Sequence, residues 1–345
     1  MGDSEQILEQ SITWSDVEGK LRDALKTESR FGSQKKAVVI GVEQSYSGLI
    51  GRLHLDWTPP HEDLPKTVIV KIPSCERLKQ MSSQLKSEGC DVEGKSVDVV
   101  IEEMQKSIKD VHDTENSFYE LVHSHALPFK VPQTYVREAS GPGDNYGYIL
   151  MADQGEDSIV YPLGVNFTVD EVIQVLDAVS EVHAYSIKHP ECFKSIHPNK
   201  FIDNLVQAHD ERSSPLVLLK DLKVRYKEKL GNTIDEIIKN IDEIFNKNTI
   251  NELNAKFGMQ PTLAHCELWT QNLIWKEHDK KRELAAIIDW ECVHEGNPSE
   301  DIAFMIASSL SADDRHRHAD TILKHYYDHL TELLQQQPPF TLQQV

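Results

Sequence analysis

Three side chains with the chemistry of a phosphoryl-transfer site stand in order late in the chain. Glu267 and Asn272 lie five positions apart in His265-Cys266-Glu267-Leu268-Trp269-Thr270-Gln271-Asn272, and Asp289 follows in Ile287-Ile288-Asp289-Trp290. Moving a phosphoryl group to a hydroxyl needs a carboxylate near the acceptor, plus an amide oxygen and a second carboxylate to hold Mg²⁺. Glu267, Asn272 and Asp289 could supply these in turn. Each has an ordinary alternative: Asp289 could be a turn residue, since Asp favours turns, and His265 fits a structural role bonding loop backbone. Two short apolar runs, 273–275 and 284–288, flank the charged turn KEHDKKRE. A two-stranded hairpin over them would carry Asn272 and Asp289 to one edge.

Other elements must bring a positive charge to this edge. Stretches 37–42, 49–57 and 67–72 are rich in β-branched residues and read as strands. Lys71 sits on the third of them. Taken alone it could be an exposed strand lysine. Residues 98–124 read as a helix containing Glu115, with Glu102, Glu103 and Glu120 as competing neighbours. Residues 134–138 and 146–151 read as a hairpin closed by SGPGDN. The G-x-G inside GPGDNYG neither follows a strand nor opens a helix, so it is read as that turn and not as a dinucleotide fingerprint. Ser15 with Glu18, and Thr168 with Glu171, have capping-box spacing. Val172, Leu176, Val179 and His183 then recur at helical spacing. Further helices are expected over 200–209, 215–230 and 234–257, and from Ser299 and Asp313 onward. The segment between Cys75 and Val97 reads as loop or short helix. Of the tryptophans near the proposed site, Trp275 reads as core, while Trp269 and Trp290 could face a substrate.

Composition narrows the function classes. The formal charge is −20, from 56 acidic and 36 basic residues, without a basic block to offset it. Such a chain repels nucleic-acid backbones and anionic membrane surfaces. It repels a nucleotide at long range too, so a site for one needs a local lysine and a divalent cation. The 5 cysteines, with no C-x-x-C pair, favour reduced thiols and a cytoplasmic setting. The first residues lack a signal-peptide pattern, and no run approaches the ~20 apolar residues of a spanning helix. Zinc-hydrolase signatures are absent: there is no H-E-x-x-H, and the H-x-E at His265 is not followed by P-C-x-x-C.

The catalytic-loop spacing of kinases is H-R-D-L-x-x-x-N. The chain most resembles the CHK kinase-like branch of the choline/ecdysteroid/aminoglycoside kinase superfamily. That branch reads H-G-D-L-W-x-x-N and I-I-D-[WFY]-[QE], where this chain has HCELWTQN and IIDWE. The family's Gly, Pro and Asp opening a helix resemble Gly296, Pro298 and Asp301, and its LHA segment resembles Val182-His183-Ala184. The similarity reaches IGVEQSYSGLIGRLHLDW, LPKTVIVKIPS and ENSFYELV, and so runs over about residues 14–320.

The resemblance implies an α+β, bilobal protein kinase-like fold: a small antiparallel-sheet N-lobe over 1–150, a larger helical C-lobe over 151–335 and a frayed tail over 336–345. It implies ATP and Mg²⁺ as cofactors and a small hydroxylated acceptor, with no nucleic-acid or membrane partner. By position, Lys71 would contact the α- and β-phosphates and Glu115 would pair with Lys71. The loop 44–48, with Ser47 and Gly48, would cover the phosphates. Leu150, Met151 and Asp153 would form the hinge facing adenine. Asn272 and Asp289 would hold Mg²⁺, and Glu267 would take the place of the catalytic base. Asp301 would orient the loop or cap a helix. Two departures stand out. Glu267 replaces an Asp, and a misplacement of ~1 Å near the chemistry can cost ~100-fold in rate. SYSGLIG also has fewer small residues than the family's phosphate loop. A pseudokinase, with the fold but without turnover, is the alternative these departures raise.

Overall fold

Five antiparallel strands form the N-terminal sheet, in the order β2-β3-β5-β7-β6. These are β2 (Lys36–Ile40), β3 (Gly48–His54), β5 (Thr67–Pro73), β6 (Thr134–Glu138) and β7 (Tyr148–Ala152). A computed structural model of the chain describes residues 6–41, 48–74, 97–143, 145–198, 214–244, 247–279 and 281–345. The expected helix at 200–209, the segment between Cys75 and Val97, and residues 44–47 with Ser47 lie outside these. Trp57, expected to end a long strand, instead lies in β4 (Trp57–Thr58), which pairs with β1 (Arg30–Phe31). Its ring packs against Phe31 at 4.7 Å between centroids.

The helix Trp14–Leu25 covers one face of this sheet. Its N-cap is Thr13, whose hydroxyl accepts from the Asp16 amide at 3.1 Å, so the expected Ser15–Glu18 box does not form. Glu18 is used at longer range, where its carboxylate accepts from the Phe31 amide at 2.8 Å. The long helix Val97–Ser124 carries Glu115, as expected.

The second half is largely helical. Thr168 and Glu171 form the expected capping box on the helix Val169–Lys188, which buries Val172, Leu176, Val179 and His183. Two expected long helices are broken into Ser214–Arg225, Lys227–Lys239, Ile241–Ile244 and Lys247–Phe257. The apolar spacing is continuous across Tyr226 and Asn240, so periodicity alone did not mark these breaks. The strands β10 (Leu273–His278) and β11 (Lys281–Ile287) pair antiparallel, and β8 (Ser158–Val160) adds to β10. The helices Pro298–Ser309 and Ala312–Leu334 follow. Past them the chain does not simply fray, because Phe340 is buried in the C-terminal core and its carbonyl accepts from the Tyr327 hydroxyl at 3.1 Å.

Among the described residues, two hydrophobic cores result. One lies between the N-terminal helix and the sheet and contains Leu21, Val70, Tyr148 and Leu150. The other contains Phe118, Ile149, Met151, Leu176, Trp275 and Trp290. Alternation along β7 sends consecutive side chains to different cores, as the two-residue period of a strand requires. Among the described residues, no helix is long and apolar enough to cross a membrane.

Candidate active site

The loop after β9 (Thr262–Ala264) is held by its own backbone amides. The Asp301 carboxylate, fully buried in the first turn of the helix Pro298–Ser309, accepts from the His265 and Cys266 amides at 2.8 Å each. His183 donates to the same carboxylate through Nε2 at 3.1 Å and accepts from the Tyr326 hydroxyl through Nδ1 at 2.8 Å. Burial opposes the Asp301 charge, but His183, His265 and the loop amides outweigh it and hold its pKa below the ordinary carboxylate value. Asp301 therefore orients the loop as well as lying near a helix start.

His265 has the structural role expected of it. Its Nε2 donates to the Ile288 carbonyl at 3.0 Å and its Nδ1 accepts from the Glu267 amide at 3.2 Å. One imidazole thus ties the Glu267 loop to the end of β11. The Ile288 amide also donates to the Asn272 carbonyl at 2.9 Å. Register pairs Leu273 with Ile287, so the hairpin brings Asn272 and Asp289 to one edge as its sequence predicts. The Asn272 carboxamide donates Nδ2 to the Glu267 carbonyl at 3.0 Å, which leaves Oδ1 as its free acceptor. Asp289 has φ 67°, a left-handed conformation uncommon for a non-glycine residue and frequent at functional sites.

Lys71 joins three elements. Its Nζ lies 2.5 Å from Asp289 Oδ1, 2.6 Å from Glu115 Oε2 and 3.2 Å from Glu291 Oε2. Among the described acidic side chains of the long helix, Glu115 is the one that reaches it. Burial would lower the Lys71 pKa, but Asp289, Glu115 and Glu291 together raise it well above the usual value. Glu291 has no role in the sequence reading, although it closes the IIDWE motif; its position two residues after Asp289 was the available signal. Burial, then the Asp289 charge, pushes its pKa up to about 8. The same two causes push Glu267 up to about 7.

These groups line a cavity of about 630 Å³. Its lining also includes the apolar side chains Ile40, Ile50, Ile69, Met151, Ile274 and Ile288. Met151 is among its lining residues, whereas Leu150 points into the opposite core by strand alternation. Asp153 also borders the cavity, but its carboxylate is engaged by Arg52, with Nε at 2.7 Å and Nη2 at 3.0 Å. Arg52 is a cavity residue that sequence reasoning missed; its place on a strand two positions before His54 gave no signal. Gly48 opens β3, where a Cβ would come within 3.0 Å of the Ile72 carbonyl. Trp290 is core and not a substrate platform: its ring is fully buried and stacks on Phe118 at 4.1 Å. Trp269 does border the cavity, with its ring edge to face on Phe304.

The oxygen ligands fit a hard divalent cation. Carboxylate oxygens of Glu115, Asp289 and Glu291 lie within 4.8 Å of one another, and Lys71 faces all three. Oxygen donors with an excess of negative charge are what Mg²⁺ selects.

A five-stranded antiparallel sheet over a lysine–glutamate pair, with a carboxylate loop and an Asn–Asp hairpin beneath, makes a kinase-like fold. The chain belongs to the family DUF1679, described as "Uncharacterized oxidoreductase dhs-27", which it matches over residues 1–345. It is 24% identical over 279 residues to the Caenorhabditis elegans protein of that description, across 77% of this chain and 31% of that protein. It is 27% identical over 201 residues to the same organism's "Uncharacterized kinase-like protein D1044.1", across 58% of this chain and 51% of that one. The chain thus spans about a third and about half of the length of these relatives. Among solved structures, it is similar to spectinomycin phosphotransferase APH(9)-Ia in complex with ADP and spectinomycin, at a TM-score of 0.46 and 11% identity over 93% of this chain and 80% of that one. It is also similar to an ethanolamine kinase from Plasmodium vivax, at a TM-score of 0.39 and 11% identity over 87% and 71%. Likeness at these scores bears on neither substrate nor mechanism.

Proposed function

We propose that the cavity binds ATP with Mg²⁺ and that the chain transfers the terminal phosphoryl group to a hydroxyl of a small molecule. The observation that carries this reading is Lys71 held at once by Glu115 and Asp289, at 2.6 and 2.5 Å, beside Glu267 and Asn272. A flat base suits the slot between Ile50, Ile69, Ile274 and Ile288, with the phosphates directed toward Lys71. Ser47 and Gly48 belong to the segment that would cover them. Asn272 Oδ1 with the carboxylates of Asp289 and Glu291 would hold Mg²⁺, which supplies neutralisation of phosphate charge. Lys71 adds the protein's own positive charge. The acceptor oxygen forms a bond to the γ-phosphorus as the bond to the β,γ-bridging oxygen breaks. The acceptor proton passes to the Glu267 carboxylate, and ADP leaves with the electron pair. A site charged this heavily negative needs the cation before the nucleotide can enter.

The test is thermal unfolding of the purified chain with ATP, with Mg²⁺ and with both, beside Asp289→Asn, followed by assay of phosphoryl transfer to hydroxylated acceptors. A ligand at ~100 times its dissociation constant adds ~2.7 kcal/mol, so a shift requiring both components and lost in Asp289→Asn is expected. No shift under any condition would end the nucleotide reading. A second reading, binding without turnover, is favoured by the longer carboxylate at Glu267 and its pKa of about 7, which leaves it partly protonated near neutrality. Glu267→Asp separates the two. Transfer that rises in the variant marks a handicapped enzyme, and transfer absent from both proteins with ATP binding intact marks a pseudokinase.

A further inference from the structure

We propose that Cys266, His294 and Glu300 form a second metal site, for Zn²⁺, distinct from the carboxylate cluster around Lys71. The three come from different elements: the loop before Glu267, the strand β12 (His294–Gly296), and the first turn of the helix Pro298–Ser309. Pairing of β12 with β9 sets His294 opposite Ala264, two residues before the thiol. A sulfur, an imidazole nitrogen and a carboxylate oxygen then lie within 4.8 Å of one another. His294 Nε2 and Glu300 Oε2 are 3.2 Å apart. Tetrahedral ligands at about 2.0–2.1 Å from zinc are themselves separated by about 3.3 Å, so this edge of the site already has its bound length.

Each ligand is held from behind in the way metal ligands are. His294 donates Nδ1 to the Cys292 carbonyl at 3.0 Å, which directs the Nε2 lone pair toward the other two ligands. Glu300 accepts from the Asn297 amide through Oε1 at 2.6 Å, which leaves Oε2 for the site. The Cys266 amide is fixed by Asp301, and its φ of 73° is costly for a residue with a side chain. Gly296 completes the cradle, because a Cβ there would meet His294 Nε2 at 2.8 Å and Glu300 Oε1 at 2.9 Å. A plain His294–Glu300 ion pair accounts for two of the three groups. It does not account for a thiol held in a left-handed conformation against them. A thiolate and a carboxylate cancel the charge of one divalent ion, and sulfur with imidazole selects zinc over Mg²⁺. All three ligands are partly accessible, which provides an entry path and an open fourth position. Such an ion would clamp the segment that carries Glu267.

The test uses the full chain, stripped with chelator and titrated with Co²⁺ in excess Mg²⁺. The expected result is one equivalent of Co²⁺ bound with a thiolate-to-metal absorption band, displaced by Zn²⁺. Cys266→Gly places at φ 73° the residue that tolerates it, so this variant should unfold at or above the wild-type temperature while losing the band. Glu300→Gln keeps an oxygen for the Asn297 amide and should weaken Co²⁺ binding by about tenfold or more with the band retained. No thiolate band in the wild type overturns the proposal. So does a band of equal intensity in folded Cys266→Gly, which would assign it to other thiols.

Discussion

Lys71 brings one positive charge to Glu115, Asp289 and Glu291, and the imbalance governs how single substitutions behave there. In Lys71→Met the buried carboxylate of Glu115 and the partly buried carboxylates of Asp289 and Glu291 lose the lysine that lies between them. Removing one side of a buried ion pair costs about 3–5 kcal/mol, and a loss near the lower end is expected because Asp289 and Glu291 are partly exposed. Because the remaining oxygens still suit a hard cation, Mg²⁺ should raise the melting temperature of this variant more than that of the wild type. Thermal unfolding with and without Mg²⁺ checks both points, and an equal shift in the two proteins would separate the carboxylates from the cation. Glu267 gives a pH signature. A base must be ionised to accept a proton, and burial and Asp289 hold this carboxyl at about 7. Transfer should therefore climb as pH rises through about 7 and level off above it. A profile flat between about pH 6 and about pH 8 would remove Glu267 from that role.

Asp301 acts at the scale of elements, since it ties the helix Pro298–Ser309 to the loop at His265 and Cys266 and to His183. Asp301→Asn should lower stability by about 3 kcal/mol and reduce any transfer activity, while denaturant unfolding reports a folded protein. Its folded-state pKa is depressed, so its contribution is complete above the unfolded value of about 3.9 and is lost as pH falls below that. The variant should lack this acid-side slope. His112 has the same sign at higher pH. Burial lowers its pKa to about 4, so stability should fall between about pH 6.5 and about pH 4 as the unfolded chain alone takes up the proton. Urea unfolding across that range checks it. Elements with a local code were legible in the sequence: the Thr168–Glu171 box, the hairpin joining Asn272 to Asp289, and the strand bearing Lys71. What escaped depended on partners distant in the chain. Thr13 and not Ser15 caps the first helix while Glu18 bonds the Phe31 amide, and Trp290 stacks on Phe118 in the core. Arg52 acquires meaning only from Asp153, which no spacing rule connects to it.

Across the whole molecule, the charge of −20 sets a field that opposes any anionic ligand. Nucleotide association should therefore quicken as ionic strength rises from about 0.01 to about 0.15 M, because the Debye length shrinks from about 30 to about 8 Å. Stopped-flow binding of a fluorescent ATP analogue measures this, and an on-rate that falls with salt would mean that local positive charge outweighs the global field. Along β7, consecutive side chains alternate between the two cores. A gene divided beside this strand would encode two pieces, each with a bare apolar wall where the other belongs. Neither half is expected to remain in solution when expressed singly. Produced together, they could regain both interiors only by finding each other, so a cut beside this strand is a site for fragment complementation and a poor place to trim a domain.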